Sequence, residues 1–328
     1  MAGQLMAGQV MEGHRLAGEI RGRVKQRVDS LKDAGIEVGL GLMIVGDNPA
    51  SVQYLQATVN VAKSVHINTY QYRMPASVSL NEILNTIADI NRDERINGLL
   101  VLFPLHSRVN PRRVVNAILP EKDIDGLGSV SVGRLAAEES TFQIFAHDPS
   151  RAAREKQFLP QHTDYLPCMP SGFLPCTPFG VIRLLEFYGV QLRGKNAVVI
   201  GKSLAVGKPL AMMLLAKEAT VSVCHKGTAD LNAYLRNADI VCSATGVSGL
   251  IRGDMIKAGA VVVDIGINVL KDGRIVGDVA FEEVLQRASL VTPVPGGVGP
   301  VTIATLLENT TRSAQSNALL NSPLLIAP

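Results

Sequence analysis

The most constraining feature of this sequence is an apolar strand that leads directly into a glycine-rich turn and then a helix. The strand Ala197–Ile200 is followed by the turn Gly201–Pro209, which reads GKSLAVGKP, and by the apolar helix Leu210–Ala216. Glycine permits a sharp backbone turn, and the N–H groups at a helix start favour a bound pyrophosphate. The turn resembles G-x-G-x-x-G with variation. It therefore predicts a dinucleotide-binding unit, with a simple tight connection as the alternative.

Strands and helices alternate around this turn through the second half of the chain. After a helix at Thr177–Tyr188, the predicted strands are Ala197–Ile200, Thr220–Cys224, Ile240–Ala244, Ala260–Ile265 and Leu290–Thr292. Alternating strands and helices are typical of a parallel sheet with helices on its faces. This half is therefore predicted to be a doubly wound, Rossmann-type α/β domain.

The first half repeats the β-turn-α pattern on a smaller scale. Four helices are predicted. One covers Gly13–Leu31, one is capped by Ser51 and runs through Val65, one covers Leu80–Asp93, and one begins at Pro111. The predicted strands are Gly39–Val45 and Gly98–Phe103. We therefore expect a second, small α/β domain. Residues 136–167 show no sustained period and are interpreted as an insertion, because they exceed the usual length of a connecting loop.

Composition narrows the class of partner. The chain has 328 residues and a formal net charge of +3, and its basic residues are scattered, so neither nucleic-acid nor membrane binding is predicted. No apolar stretch approaches the roughly 18 residues of a membrane span. The four cysteines have no metal-ligand spacing, so no metal is expected, and reduced thiols indicate an intracellular protein. A small-molecule enzyme of the cytoplasm is predicted, with the mitochondrion left open.

The residues after the second strand indicate which dinucleotide is bound. An NAD site places Asp or Glu about 20 residues after the turn, where it binds the ribose 2′-hydroxyl. That place holds Cys224, His225 and Lys226. Lys202 and Lys226 are two cations that suit a 2′-phosphate, so NADP is predicted over NAD, with two ordinary exposed lysines as the alternative. Ser203 adds a hydroxyl donor to the turn.

Ordered motifs extend over nearly the whole chain. They are VGDNPAS at Val45–Ser51 followed by Tyr54, KDIDG at Lys122–Gly126, PCTPFG at Pro175–Gly180, VVIGKSLAVGKPLA at Val198–Ala211, ATGVSGLI at Ala244–Ile251, VVVDIGIN at Val261–Asn268, GDV at Gly277–Val279 and TPVPGGVGPVTIATLLENT at Thr292–Thr310. Together they resemble the methylenetetrahydrofolate dehydrogenase/cyclohydrolase (FolD) family. The resemblance implies a homodimeric enzyme of one-carbon metabolism that oxidises 5,10-methylenetetrahydrofolate with NADP and hydrolyses the methenyl product.

The resemblance also implies domains and site residues. The folate-binding catalytic domain is expected at 1–167 plus 303–328, and the NAD(P)-binding domain at 168–302. The expected cofactor contacts are Gly201, Lys202, Ser203, Gly207, His225, Lys226, Thr245, Gly246 and Ile267, and the expected folate contacts are Tyr54, Asp125, Pro295, Gly296 and Gly297. Tyr54 and Asp125 are also the expected catalytic residues. Asp125 is expected to accept hydrogen bonds from pterin N–H groups, and Tyr54 to lie at the folate ring. The alternatives are a turn aspartate and a core aromatic residue.

Three positions depart from the family pattern. The family places a lysine four residues after the tyrosine, on the same helix face, but Thr58 follows Tyr54 here. Leu102 stands in place of the glutamine that hydrogen-bonds this lysine, and Ser131 in place of an asparagine. Threonine cannot act as an amine base, so we expect a dehydrogenase with weak or absent cyclohydrolase activity. An enzyme with both activities and a catalytically silent folate- or nucleotide-binding homologue are the alternatives.

Overall fold

The computed structural model describes residues 8–106, 108–137 and 172–320. These residues fall into two compact units. The six-stranded unit lies within Met1–Ile20 and Cys176–Thr305, and the three-stranded unit within Arg21–Pro175 and Leu306–Pro328. Beyond residue 137, the predicted insertion at 136–167 lies outside the described residues.

Helices and strands alternate along the described chain. The helices are α1 (His14–Asp33), α2 (Pro49–Ser64), α3 (Leu80–Arg92), α4 (Pro111–Val115), α5 (Ser129–Ala136), α6 (Cys176–Phe187), α7 (Gly207–Ala216), α8 (Leu231–Leu235), α9 (Phe281–Leu285) and α10 (Val298–Leu320). The strands are β1 (Gln9–Val10), β2 (Gly39–Val45), β3 (Asn68–Met74), β4 (Gly98–Val101), β5 (Asn196–Ile200), β6 (Thr220–Cys224), β7 (Ile240–Ser243), β8 (Val261–Asp264), β9 (Asn268–Val269), β10 (Ile275–Val276) and β11 (Leu290–Val291).

The larger sheet is parallel throughout, in the strand order β1-β11-β8-β7-β5-β6. Its central strands β7 and β8 are buried at every residue. A parallel strand with both faces covered is a nearly continuous apolar run, which explains why β8 reads VVVD and β7 reads IVCS. The predicted two-domain α/β class with a parallel, Rossmann-type sheet is confirmed.

Strand β1 places residues 9 and 10 in the six-stranded unit. Gln9–Val10 pairs in parallel with Leu290–Val291. A Cβ on Gly8 would meet the carbonyl oxygen of Ala288, so the chain approaches its neighbour closely there. A strand of two residues has no detectable period. The predicted domain boundaries stay a prediction. They differ from the division into two units most clearly at residues 1–20, which the prediction assigns to the folate domain.

The smaller sheet is parallel in the order β3-β2-β4. Isoleucines of α3, Ile83, Ile87 and Ile90, pack in one cluster with Met43 of β2 and Val101 of β4. Strand β3 and helix α5 were not predicted. β3 lies at the sheet edge and reads NTYQYRM, with no buried residue, so it lacks the apolar run or clean alternation that indicates a strand.

The start of α2 differs from its prediction in one detail. Asn48, not Ser51, caps the helix, since the Asn48 side chain accepts a hydrogen bond from the Ser51 backbone N–H at 3.2 Å. The Ser51 hydroxyl instead donates to the carbonyl oxygen of Phe103 at 2.9 Å. Strand β4 ends at Val101 rather than Phe103, and Pro104 has no N–H with which to continue the ladder.

Candidate active site

The glycine-rich turn lies at the carboxyl end of β5. Gly201 has φ of +114°, and a Cβ there would meet the carbonyl oxygen of Ala244. A Cβ on Gly207 would meet the carbonyl oxygen of Gly201. Both positions require glycine, because the backbone passes too close for a side chain. The turn is therefore a cradle of the kind that holds a pyrophosphate against a helix start.

Ser203 organises the start of α7. Its Oγ accepts hydrogen bonds from the backbone N–H groups of Val206 at 3.1 Å and Gly207 at 3.3 Å. A hydroxyl that accepts two hydrogen bonds still has its own proton to donate. The predicted role of Ser203 as a donor to the dinucleotide is compatible with this geometry and stays a prediction.

Lys202 and Lys226 follow neighbouring strands. Ile200 of β5 lies opposite Cys224 of β6, and the Gly201 N–H donates to the Cys224 carbonyl at 2.8 Å. Each lysine lies two residues past its strand, and both side chains are exposed. The structure thus brings the two predicted cations to one edge of the sheet. An exposed pair of lysines at this edge fits a 2′-phosphate.

His225 lies between β6 and Lys226 and is half-buried. Its Nδ1 accepts a hydrogen bond from the Gly227 N–H at 3.1 Å, and its own backbone N–H donates to Thr228 Oγ1 at 2.9 Å. The ring therefore shapes the turn after β6. A contact between His225 and the cofactor stays a prediction.

The buried carboxylate of Asp278 accepts hydrogen bonds from β7 and from the loops that follow β7 and β8. Oδ2 of Asp278 accepts hydrogen bonds from Ser243 Oγ at 3.0 Å and from Thr245, through the backbone N–H at 2.6 Å and Oγ1 at 2.9 Å. Its Oδ1 accepts from the Val247 N–H and from Asn268 Nδ2, both at 3.1 Å. Asp278 was not among the predicted site residues.

A second buried carboxylate, Asp264, ends β8. Its Oδ1 accepts from the N–H groups of Gly266 at 3.0 Å and Asp278 at 2.9 Å, and its Oδ2 from the Val279 N–H at 2.9 Å. Burial raises the pKa of Asp264 to about 6, and the negative charge of Asp278 adds to this rise. The signal that could have identified both residues is an aspartate within two residues of a glycine in the motifs VVVDIGIN and GDV.

The other predicted cofactor residues lie in these same loops. Gly246 follows Thr245 with φ of +70° and is exposed. Ile267 precedes Asn268, and its side chain is 51% exposed. The predicted contacts of Thr245, Gly246 and Ile267 with the cofactor stay a prediction.

The segment Pro295–Gly297 forms the loop before α10. Gly296 has φ of +107°, its carbonyl accepts the Gly13 N–H at 2.8 Å, and the Gly297 N–H donates to the Pro293 carbonyl at 2.9 Å. Backbone hydrogen bonds thus fix the loop. Its predicted contact with folate stays a prediction.

Tyr54 and Thr58 lie one turn apart on α2 in the three-stranded unit. Tyr54 is half-buried, and Thr58 is fully buried. Thr58 Oγ1 donates to the Tyr54 carbonyl oxygen at 2.8 Å, so its hydroxyl proton is held within the helix. This position therefore supplies no base.

Leu102 lies directly after β4 and is 4% exposed. Its N–H donates to the Met43 carbonyl at 2.9 Å. The hydrogen bond from Ser51 to Phe103 links the start of α2 to this segment. Thr58 on α2 and Leu102 after β4, which both differ from the family pattern, therefore lie in segments of one unit that a hydrogen bond joins.

The KDIDG motif begins with a buried lysine. Lys122 Nζ donates to the carbonyl oxygens of Ile90 and Asp93, each at 2.8 Å, and so satisfies carbonyl groups at the end of α3. Burial lowers the pKa of Lys122. This lysine is therefore structural.

Asp123 orders the turn that carries Asp125. Its carboxylate accepts from the N–H groups of Leu127 at 3.1 Å and Gly128 at 2.9 Å and from Ser131 Oγ at 2.6 Å. Burial raises the pKa of Asp123 to about 6. Ser131, where an asparagine was expected from the family, thus serves Asp123. Asp125 is half-buried, and its predicted role toward the pterin stays a prediction.

The described part of the chain shows neither a metal-binding cluster nor a helix that could cross a membrane. Over residues 8–106, 108–137 and 172–320, no group of three or more His, Cys, Asp or Glu side chains is arranged to hold a metal ion. Cys176, Cys224 and Cys242 are not in disulfide bonds, and burial raises the pKa of Cys242 to about 12. Within the same ranges, no helix has the length and apolarity needed to cross a membrane.

Comparison with known families matches both units. Residues 11–125 match the catalytic domain of the tetrahydrofolate dehydrogenase/cyclohydrolase family. Residues 175–318 match the NAD(P)-binding domain of that family.

Individual relatives agree with this match. The bifunctional protein FolD of Moorella thermoacetica is 42% identical over 310 residues, which cover 94% of this chain and 100% of the relative. The crystal structure of FolD from Campylobacter jejuni has a TM-score of 0.80 at 41% identity and covers 95% of this chain and 100% of that one. FolD of Trypanosoma brucei, solved with NADP cofactor and an inhibitor, has a TM-score of 0.82 at 31% identity and covers 97% and 100%.

Proposed function

The chain belongs to the tetrahydrofolate dehydrogenase/cyclohydrolase family, and we propose that it is an NADP-dependent 5,10-methylenetetrahydrofolate dehydrogenase with weak or absent cyclohydrolase activity. The proposal depends mainly on the hydrogen bond that the Thr58 hydroxyl makes. This hydroxyl donates to the backbone of its own helix, where the family uses a lysine.

The cofactor edge supports the choice of NADP. Gly201 and Gly207 leave room for a pyrophosphate at the start of α7, and Lys202 and Lys226 supply two exposed positive charges at adjacent strand ends. The relative from Trypanosoma brucei binds NADP in its solved structure. When bound, NADP accepts a hydride from the one-carbon group of the folate.

The proposed folate contacts, Tyr54, Asp125 and Pro295–Gly297, are those that the family pattern implies. In the proposal, Asp125 accepts hydrogen bonds from the pterin N–H groups, because a carboxylate can take two donors at once. Tyr54 orients the ring, and the fixed backbone of Pro295–Gly297 allows close approach. Positioning is the main contribution that such residues make to hydride transfer.

Hydrolysis of the methenyl product needs a water that loses a proton. A positioned acid or base typically contributes about 10²- to 10⁴-fold to such a step. Thr58 is no amine, and Leu102 offers no hydrogen bond to one, so we expect this contribution to be missing. The dehydrogenase step does not depend on it.

A second candidate is a catalytically silent folate- or nucleotide-binding homologue. It is favoured by the number of changed positions, since Thr58, Leu102 and Ser131 all differ from the family pattern. We also propose that the protein acts in the cytoplasm and as a homodimer, in line with its family.

The test is to mix purified protein with 5,10-methylenetetrahydrofolate and either NADP or NAD, and to follow reduced dinucleotide. We expect NADPH to form faster than NADH. Binding of NADP without any reduced product would favour the silent homologue, and faster turnover with NAD would overturn the cofactor assignment.

A further inference from the structure

The six-stranded unit contains an interlocked pair of aspartates that the proposed reaction does not use. Asp264 is 3% exposed and Asp278 is fully buried. A Cβ on Gly266 would meet the carboxylate of Asp278, and a Cβ on Gly277 would meet the carboxylate of Asp264. Each glycine thus leaves room for the other segment's carboxylate, which explains why D-I-G and G-D occur in these two motifs.

Asp278 is saturated as an acceptor. It takes five hydrogen bonds, from Ser243 Oγ, Thr245 N and Oγ1, Val247 N and Asn268 Nδ2. Carboxylate oxygens accept hydrogen bonds, so this side chain suits a position toward which several backbone and side-chain donors point. The donors come from β7, from the loop after it and from the start of β9.

Asp264 fixes the position of Asp278 through the backbone. Its Oδ1 accepts the Asp278 N–H at 2.9 Å, and its Oδ2 accepts the Val279 N–H at 2.9 Å. The carboxyl end of β8 therefore holds the segment that carries Asp278. The loops after β7 and β8 are joined through this pair.

We propose that Asp278, oriented by Asp264, is a positioning residue for the dinucleotide. It holds Thr245, Gly246 and Ile267 in their binding arrangement before NADP arrives, which removes an ordering cost from the binding free energy. Both aspartates are buried, so their proposed role is to position the loops and not to take part in the chemical step. Burial raises the pKa of Asp264 to about 6, and the neighbouring negative charge of Asp278 adds a smaller rise. This inference rests on the proposed use of NADP.

The test compares Asp278→Asn with Asp272→Asn. The second is a matched control, because Asp272 lies in the exposed β9–β10 turn and pairs only locally with Arg274 at 2.7 Å. In Asp278→Asn an amide N–H₂ would face donors. We expect the Kd for NADP, titrated without folate, to rise about tenfold or more. We expect kcat at saturating NADP to stay within about twofold and the folate KM to be unchanged.

The pattern of effects separates positioning from a purely structural role. A structural role would lower the melting temperature and reduce binding of folate and NADP alike. Ser243→Ala is the second variant, since it removes one donor to Asp278 from a fully buried site on β7 and leaves the carboxylate in place. It should weaken NADP binding in the same direction and by less, even if Asp278→Asn fails to fold.

A purely structural pattern of this kind would overturn the inference, and so would either of two other results, which are distinguishable from each other. If the unmodified protein does not bind NADP, the proposed function fails and the inference fails with it. If the unmodified protein binds NADP and both Asp278→Asn and Ser243→Ala bind it as tightly as Asp272→Asn does, only the inference fails.

Discussion

The carboxyl edge of the six-stranded sheet and the α2 region of the three-stranded unit treat their polar side chains differently. At the sheet edge, Asp278 gathers donors from three segments and leaves loops whose exposed residues can meet a ligand. On α2, Thr58 donates to the Tyr54 carbonyl, and after β4 the buried residue is Leu102. Polar side chains organise the loops of the first region. In the second region, the Thr58 hydroxyl is hydrogen-bonded within its own helix, and the position after β4 is apolar.

The two regions therefore differ in how far family membership extends to activity. Dinucleotide binding depends on backbone shape, and the glycines that create that shape are present in this chain. Hydrolysis depends on one protonatable side chain, and its position holds a threonine. One family fold can therefore keep the first property and lose the second.

The largest expected effect is at the glycine-rich turn. Gly207→Ala would drive a Cβ against the Gly201 carbonyl oxygen, so NADP binding should be lost even at about 100 times the unmodified Kd. Calorimetric titration measures this. Gly22→Ala is the control, because nothing lies within 4 Å of a Cβ at that α1 position. Normal binding by Gly207→Ala would show that the cradle is not the binding element.

The next effect is a gain of hydrolysis. The double variant Thr58→Lys, Leu102→Gln restores the family pair and should raise methenyl hydrolysis about 100-fold, which is within the usual range for acid–base help. The matched control is Thr58→Val, Leu102→Gln, which has no amine and should gain nothing. Equal rates in the two variants would contradict the assignment of hydrolysis to this position.

A smaller effect is expected at the lysines. Lys226→Ala removes a charge-assisted contact to the 2′-phosphate and should reduce the preference for NADP over NAD about tenfold. The ratio of kcat/KM for the two dinucleotides measures this preference. Lys271→Ala removes an equally exposed charge from the β9–β10 turn and should leave the ratio unchanged. If both variants behave alike, Lys226 does not read the phosphate.

The smallest effect is a pH dependence of stability. Burial raises the pKa of Asp123 from 3.8 to about 6, so the folded state holds this proton more tightly than the unfolded state. The protonated Asp123 therefore adds to the free energy of unfolding below about pH 4, and this stabilisation is lost as pH rises through about 6. Asp123→Asn should flatten the fall in stability across this range, as seen in melting temperatures.

Asp272→Asn provides a control of opposite sign. Hydrogen bonds from Arg274 lower the pKa of Asp272, so its stabilisation is lost as pH falls. An unchanged pH profile in Asp123→Asn would contradict the buried, raised carboxyl described here.

Much of the fold could be predicted because long apolar or periodic runs indicate elements directly. Strand β2 was predicted at Gly39–Val45 and β6 at Thr220–Cys224, as the structure has them. The β1 strand, the polar edge strand β3 and the short hairpin β9–β10 lack such patterns, since their pairing depends on neighbours distant in sequence.

The site was predictable where chemistry lies in adjacent residues. Lys202 and Lys226 could be placed together, because carboxyl ends of parallel strands meet at one edge. The roles of Asp123, Asp264 and Asp278 could not, because each is defined by backbone N–H groups and side chains that only the fold assembles. The hydrogen bond from the Thr58 hydroxyl to the Tyr54 carbonyl was not predicted either.

The loss of cyclohydrolase activity is tested by supplying 5,10-methenyltetrahydrofolate to the unmodified protein and following the decrease of its absorbance against a reaction without protein. The same preparation is assayed for NADPH formation from methylenetetrahydrofolate. We predict clear NADPH formation together with methenyl decay close to the uncatalysed rate. Methenyl decay that the protein accelerates as strongly as it does NADPH formation would contradict the account.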